Sequence, residues 1–235
     1  MGGIAIVSGG LDSTTMLYDL VNSGTDVDVV SFNYGQRHIR ELIQARAITS
    51  ALRLHHLIID IPSYGRSIVS SASSLVDPNA EVPEGSYDAE SMKATVVPNR
   101  NMVMIAMASG VAISTKAQFV ATAVHAGDHA IYPDCRPEFI RSLETAIKIG
   151  NEGFIDPGFE IRTPYIYRTK ADIARRAGEL RVPVDLTWSC YKGGTSHCGR
   201  CGTCVERLEA FHEADVFDPT VYMDTEFWKT AVAAK

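Results

Sequence analysis

The 235-residue chain is 46% hydrophobic, enough to bury a full core in one domain spanning residues 1–235. It carries 22 Lys and Arg against 28 Asp and Glu, a formal net charge of -6. That balance argues against a protein whose main task is gripping a nucleic-acid backbone, while leaving room for a local basic pocket that takes a polyphosphate. The longest apolar run, Met102 to Ile113, is too short to span a bilayer and reads as a core helix. A strand begins almost at the N-terminus, which leaves no room for a signal peptide, and Ile6 stands where a myristoylation signal wants Ser or Thr. The expected home is the cytoplasm, with no membrane association.

In chain order, the apolar run Ile4-Ala5-Ile6-Val7 predicts a buried strand. Ser8-Gly9-Gly10-Leu11-Asp12-Ser13-Thr14 follows and opens a helix, capped by Ser13 or Asp12, with Met16, Leu17, Leu20 and Val21 on one face. Asp26 to Phe32 predicts a second strand ending in Asn33-Tyr34-Gly35-Gln36-Arg37-His38. The next helix places Ile39, Leu42, Ile43, Ala47 and Ala51 near one face, and His55 to Ile61 predicts a third strand. Strand–helix–strand–helix–strand spacing argues for a parallel sheet with helices on both faces. In such sheets ligands bind beyond the carboxyl ends of the strands, so Ser8–Ser13 and Tyr34–His38 should line one crevice.

Ser70 to Ala94 has no periodicity and reads as a long loop. A helix then runs from Val97-Pro98-Asn99-Arg100-Asn101 to about Thr115, its methionines filling core space. Gln118 to Val124 predicts a fourth strand, followed by His125-Ala126-Gly127-Asp128-His129 and Tyr132-Pro133-Asp134-Cys135-Arg136-Pro137. Pro137 suits the first turn of a helix that buries Phe139, Ile140, Leu143 and Ile147. Glu160 to Thr163 is a short fifth strand, and Thr169-Lys170-Ala171-Asp172 has capping-box spacing. Cys135 stands alone; packing as a small residue and a role as nucleophile both remain open.

Two motifs carry chemistry. The glycines after the first strand let the backbone turn sharply, and the helix N-terminus adds donors and partial positive charge, which suits phosphate. The run is neither G-x-x-x-x-G-K-[ST] nor G-x-G-x-x-G. It resembles the pyrophosphate loop of ATP pyrophosphatases, which cleave ATP between its α and β phosphates. The second motif is Cys190-x7-Cys198-x2-Cys201-x2-Cys204, within a segment of residues 186–214. Four thiolates can close a tetrahedral shell around one structural zinc, with Gly199 and Gly202 easing the curl. An iron–sulfur cluster is the alternative, although the bacterial ferredoxin run places its fourth cysteine downstream. His197 is surplus to a four-cysteine shell and reads as an exposed loop histidine. A zinc-ribbon nucleic-acid module is a further rival, with Lys192, Arg200 and Arg207 as its only nearby positive charge.

The loop and the cysteine cluster together resemble the 7-cyano-7-deazaguanine synthase family. Phe32-Asn33-Tyr34-Gly35-Gln36-Arg37-His38, Val97-Pro98-Asn99-Arg100-Asn101, Tyr132-Pro133-Asp134-Cys135-Arg136-Pro137-Glu138-Phe139 and Thr187-Trp188-Ser189-Cys190-Tyr191 are similar to that family's segments in its order. His125–His129 departs from the pattern, where a more Gly- and Asn-containing turn is expected. The resemblance implies a Rossmann-like, adenine nucleotide alpha hydrolase-like fold and a ligase that turns 7-carboxy-7-deazaguanine and ammonia into the nitrile, releasing AMP and pyrophosphate. It implies ATP with Mg2+ as co-substrate, held by Val7, Ser8, Gly9, Gly10, Leu11, Asp12, Ser13, Thr14, Thr15, Met16 and Leu17. Asp12, Ser13 and Lys170 are the implied catalytic residues; a plain helix cap at Asp12 and a solvated lysine at 170 are the competing readings. Tyr34, Gln36, Arg37, Arg100, Asp134 and Arg136 are candidates for the deazaguanine and its carboxylate. Small molecules are the expected partners, with room for a homodimer. The rival activities are a relative that stops at the amide or conjugates another amine, and a tRNA-modifying enzyme.

Overall fold

The computed structural model describes residues 2–37, 39–68, 73–77, 79–88 and 90–234. Five strands form one parallel sheet: β1 (Gly3–Ile6), β2 (Val27–Asn33), β3 (His56–Asp60), β4 (Phe119–Ala121) and β5 (Glu160–Arg162), in the order β3-β2-β1-β4-β5. Helices α1 (Leu11–Asn22), α2 (Arg40–Ala51), α3 (Pro62–Ser67), α4 (Arg100–Thr115), α5 (Pro137–Gly150), α6 (Lys170–Glu179), α7 (Gly202–Ala214) and α8 (Phe227–Ala233) connect and follow them.

Successive strand residues point to opposite faces, and here both faces are apolar because both are covered. Ala5, Val29 and Ala121 enter one core with Leu11, Met16 and Leu17 of α1, Ile173 and Ala177 of α6, and Phe211 of α7. Their neighbours Ile4, Val30 and Val120 enter the other core with Ile105 and Ala108 of α4 and Ile140, Leu143 and Ile147 of α5. The fit at the sheet centre is close, since a Cβ at Gly3 would lie 2.0 Å from the Phe119 ring.

The sequence expectation for α2 needs correction. Its buried face is Leu42, Ala45, Ile48 and Thr49, while Ile39 and Ile43 are 54% and 59% exposed and Ala47 and Ala51 are also exposed. The opposite side of α2 meets the glycine loop, its backbone at Glu41 and Ala45 lying 2.1 and 2.9 Å from where a Cβ at Gly9 would stand. The fourth strand is shorter than Gln118–Val124. After Thr122 donates its N–H to the Arg162 carbonyl at 2.9 Å, the chain leaves the ladder and Ala123, Val124 and His125 turn into a cavity. The strands are all parallel, but the order of winding reverses at β1, with β2 and β3 on one side and β4 and β5 on the other, so the carboxyl ends of β1 and β4 flank an open crevice. Among the described residues no helix is long and apolar enough to cross a membrane.

Candidate active site

The crevice begins at the loop after β1. Val7 donates to the Val30 carbonyl at 2.9 Å, holding the chain in register until it turns at Ser8. Gly9 has φ +92°, and a Cβ there would lie 2.1 Å from the Glu41 carbonyl oxygen, so both conformation and space require glycine. Trp188 donates its N–H to the Gly9 carbonyl at 2.9 Å and fixes the loop from the other side.

Neither Asp12 nor Ser13 caps α1, contrary to expectation: Gly10 occupies the cap position and has no side chain to accept the first amides of the helix. Ser13 instead turns back on the loop, its Oγ 3.2 Å from the Ser8 amide and 3.1 Å from Ser8 Oγ. The uncapped helix start leaves its donors for an anionic ligand. Val7, Ser8, Gly10, Leu11, Asp12 and Ser13 line the cavity. Thr14, Thr15, Met16 and Leu17 are buried in the body of α1, and Thr15 Oγ1 donates to the Leu11 carbonyl at 2.8 Å.

Asp12 belongs to a largely buried charge cluster. Lys170 Nζ, at the start of α6 behind a complete Thr169–Asp172 capping box, lies 2.7 Å from Asp12 Oδ2 and 3.3 Å from Glu206 Oε2. His125 Nε2 lies 3.9 Å from Asp12 Oδ2 and 3.5 Å from Asp128 Oδ2. The Gly127 amide donates to His125 Nδ1 at 3.1 Å, which makes that nitrogen the acceptor and leaves the proton at Nε2 facing the carboxylates. Burial works against the Asp12 charge, but Lys170 and then His125 outweigh it and hold the carboxyl below its ordinary value. Burial likewise opposes the Lys170 charge, yet Asp12 and Glu206 hold the ammonium well above the usual lysine value. For Glu206 burial dominates and pushes the carboxyl up. Asp12 Oδ1 is buried with no hydrogen-bond partner, an acceptor beside the phosphate loop that fits a hydrated Mg2+ accompanying ATP.

The far half of the cavity is aromatic. Phe32, Tyr34, Gln36, Tyr87, Arg100, Met104, Tyr132 and Tyr191 line it. Arg100 sits among phenols: burial opposes its charge, and Tyr34, Tyr191 and Tyr132 lie near enough to favour it. Of the sequence candidates, Tyr34, Gln36 and Arg100 are therefore at the cavity. Gln36 is spent locally, accepting from the Tyr34 amide at 3.0 Å and donating to the Phe32 carbonyl at 3.1 Å. Arg37, Asp134 and Arg136 are not among the lining residues. Arg37 is exposed and donates to the Ala80 carbonyl at 2.9 Å, Asp134 accepts the Asn101 amide at 3.2 Å, and Arg136 Nε donates to the His129 carbonyl at 2.8 Å. Cys135 is buried against the cavity, takes a hydrogen bond from Asn101 Nδ2 at 3.2 Å, and is pushed well above the ordinary thiol value by burial. It packs as a small residue in the core formed with α4 and α5.

The sequence reading missed Tyr87, His125, Asp128, Tyr191 and Glu206 as cavity residues. A signal existed for Glu206 alone: it follows Cys204 by two residues on a helix whose start the metal cluster anchors.

The four cysteines converge. Sγ atoms of Cys190, Cys198, Cys201 and Cys204 all lie within 4.8 Å of one another, none in a disulfide, and the Cys198 and Cys204 sulfurs are 3.9 Å apart. Four sulfurs at about 2.3 Å from a tetrahedral zinc stand about 3.8 Å apart, so the donor set fits zinc. Amides of Cys198, Arg200 and Cys201 point at the sulfurs from 3.2 to 3.4 Å, as thiolates require. A closed shell supplies no open position for substrate, and what zinc adds when bound is the anchoring of α7. Cys201→Ser is expected to lower zinc content by elemental analysis and the melting temperature together; full zinc with unchanged melting would refute the assignment.

His197 corrects the expectation of an exposed histidine. It is buried, its ring 4.3 Å from that of Trp188, and its Nε2 accepts the Ser189 amide at 3.1 Å. Burial and then Arg207 push it down to about 4, so it is a neutral acceptor that shapes the cysteine loop. The cations of this segment are committed as well. Lys192 and Arg200 both pair with Glu84, and Arg207 is fully buried.

The family model described as "Queuosine biosynthesis protein QueC" matches residues 2–215. A 7-cyano-7-deazaguanine synthase from Brucella anthropi is 48% identical over 232 residues, 99% of this chain and 98% of its own length. Its counterpart from Brucella ovis is 49% identical over 229 residues, 97% of each chain. Among solved structures, NMN synthetase from Francisella tularensis matches with a TM-score of 0.50 at 13% identity, over 97% of this chain and 84% of that one. A 4-thiouridine synthetase bound to RNA and ATP matches with a TM-score of 0.50 at 18% identity, over 79% of this chain and 42% of that one. At such identities the likeness is one of fold alone. The family match, by contrast, runs from the first strand through the end of α7, and the chain belongs to the QueC family of queuosine biosynthesis proteins.

Proposed function

We propose that this chain, acting as one domain in the cytoplasm, converts 7-carboxy-7-deazaguanine and ammonia to 7-cyano-7-deazaguanine with the consumption of ATP. The observation that carries this is the continuity of one cavity, running from the phosphate loop and Lys170 to the aromatic half around Arg100. A carboxylate is a poor electrophile because oxide would have to leave. Attack of its oxygen on the α-phosphate makes a mixed anhydride and expels pyrophosphate; ammonia then displaces AMP to give the amide. The amide oxygen is adenylated in turn, and loss of AMP with a proton leaves the nitrile. Negative charge grows on the departing pyrophosphate, where the Gly9 amide, the uncapped amides at the start of α1, the Ser13 hydroxyl and the Lys170 ammonium stabilise it. Asp12 holds Lys170 and offers Oδ1 to Mg2+. Tyr34 and Arg100 orient the deazaguanine, the guanidinium matching an anionic or carbonyl oxygen. With Lys192, Arg200 and Arg207 already paired or buried, the surface of the cysteine segment supports a small-molecule reading and no nucleic-acid partner. A homodimer is compatible with this site, which draws on one chain.

The test is 7-amido-7-deazaguanine with ATP and Mg2+ but no ammonia. The nitrile should appear with one AMP for each product molecule, and Ser8→Ala should abolish it together with conversion of the acid. If the wild-type protein leaves the amide untouched while still making it from the acid, the enzyme stops at the amide.

A further inference from the structure

The long loop before α4 contributes a strap, Val82 to Asp88, that the reaction above does not by itself assign. Val82 is buried in the cluster formed by Trp188, Cys190, Cys201 and Cys204. Glu84 forms an antiparallel bridge with Cys201, and Gly85 donates its N–H to the Arg200 carbonyl at 3.0 Å. The Glu84 carboxylate pairs with Lys192 through one oxygen and with Arg200 Nε through the other, at 2.9 Å. Arg200 is held in place by Asp224 at 3.1 Å and by the Phe227 ring beneath its guanidinium. One turn later Tyr87 enters the cavity. Its ring packs on the first residue of α7, where a Cβ at Gly202 would stand 3.6 Å from Tyr87 Cδ2, and its hydroxyl donates to Asp128 Oδ1 at 3.1 Å. Tyr87 thus ties together two walls of the cavity, and Glu84 ties the strap to the cysteine segment.

We infer that the Val82–Asp88 strap is a cover that keeps water from the acyl-adenylate, latched by Glu84 on Lys192 and Arg200 and closed by Tyr87 against Asp128. The inference rests on the proposed reaction, whose intermediate is an anhydride. Water's oxygen can bond to its acyl carbon while the carbon–oxygen bond to AMP breaks and the electron pair leaves with the phosphate. The products are the starting acid and AMP, with two protons released. Water is present at far higher concentration than ammonia, so an open site would hydrolyse ATP without making product, and closure is the remedy available to the protein. The cysteine cluster gains a second task on this reading, as the fixed post to which the strap is fastened. Because the latch charges are partly exposed, salt should loosen it.

The zinc-loaded full chain is incubated with ATP, Mg2+ and 7-carboxy-7-deazaguanine without ammonia, and AMP released beyond one per active site is counted. Glu84→Ala should raise that release about three- to tenfold, and Tyr87→Ala at least as much. With ammonia supplied, both should raise the AMP consumed per nitrile, while Glu84→Ala keeps the pyrophosphate-exchange rate of the wild type. Tyr87→Phe, which keeps the ring, should leak less than Tyr87→Ala. Raising NaCl should move the wild type towards Glu84→Ala. Unchanged AMP release in both Glu84→Ala and Tyr87→Ala would overturn the cover. If the wild type forms no AMP from this acid, the proposed reaction fails instead. The strap is then judged by hydrogen exchange at residues 82–88, where equal protection in wild type and Glu84→Ala would overturn the latch.

Discussion

Lys170→Ala is expected to lower turnover by about 10²–10³-fold, with substrate binding affected far less. The ammonium is the one buried cation beside the phosphate loop among the cavity-lining residues, and its charge is secured by two carboxylates. Removing it leaves the developing pyrophosphate charge without its main counter-ion and leaves Asp12 and Glu206 facing each other unscreened. Lys170→Arg keeps a charge but not the compact point geometry, and should recover only part of the rate. Rapid-quench measurement of AMP formation separates the chemical step from product release. An unchanged rate with the circular-dichroism spectrum intact would return Lys170 to a structural role. The pair is insensitive to pH across the neutral range. Asp12 is held low, so its contribution to stability is complete above the free carboxylate value of about 3.9 and is lost as pH falls towards its folded value. Lys170 is held high, so its contribution is complete below the free amine value of about 10.4 and is lost as pH rises through its folded value. Loss of activity between those limits must come from another group.

Arg207→Met is expected to cost about 3–5 kcal/mol of stability, because it strands a buried carboxylate. Arg207 is fully buried and Asp218 is 6% exposed; the guanidinium spans both Asp218 oxygens at 3.0 and 3.1 Å, the Val184 carbonyl, and the hydroxyls of Thr187, Ser189 and Thr220. One side chain therefore joins α7 to the segment before the cysteines and to the segment after the helix. The melting temperature should fall by about 10 °C or more. Arg207→Met combined with Asp218→Asn should lose less than the single change, since no unpaired charge remains. A single variant within about 1 kcal/mol of wild type, with zinc content unchanged, would show that the network contributes little.

The phosphate loop, the parallel sheet and the four-cysteine cluster were legible in the sequence because each is a local pattern. A strand followed by Gly9 and Gly10 must turn, alternating apolar strand residues must be covered on both sides, and C-x2-C-x2-C curls on itself wherever it occurs. The capping box at Thr169–Asp172 was legible for the same reason. What the sequence could not determine is which residues from distant elements share the site. Ser13 resembles a helix cap until the loop folds back and offers it the Ser8 amide. Ile39 and Ile43 resemble a buried face until the glycine loop claims the opposite side of α2. Arg37, Asp134 and Arg136 carry the right chemistry, but each is taken by a nearby backbone group. Tyr87 and Asp128 have no local signature, because their roles arise only where the strap, the turn after β4 and α7 meet. The chain alone determined that a glycine turn and a helix start suited to phosphate would stand at the end of β1; only the tertiary structure decided what lies opposite it, since that depends on contacts between segments more than a hundred residues apart.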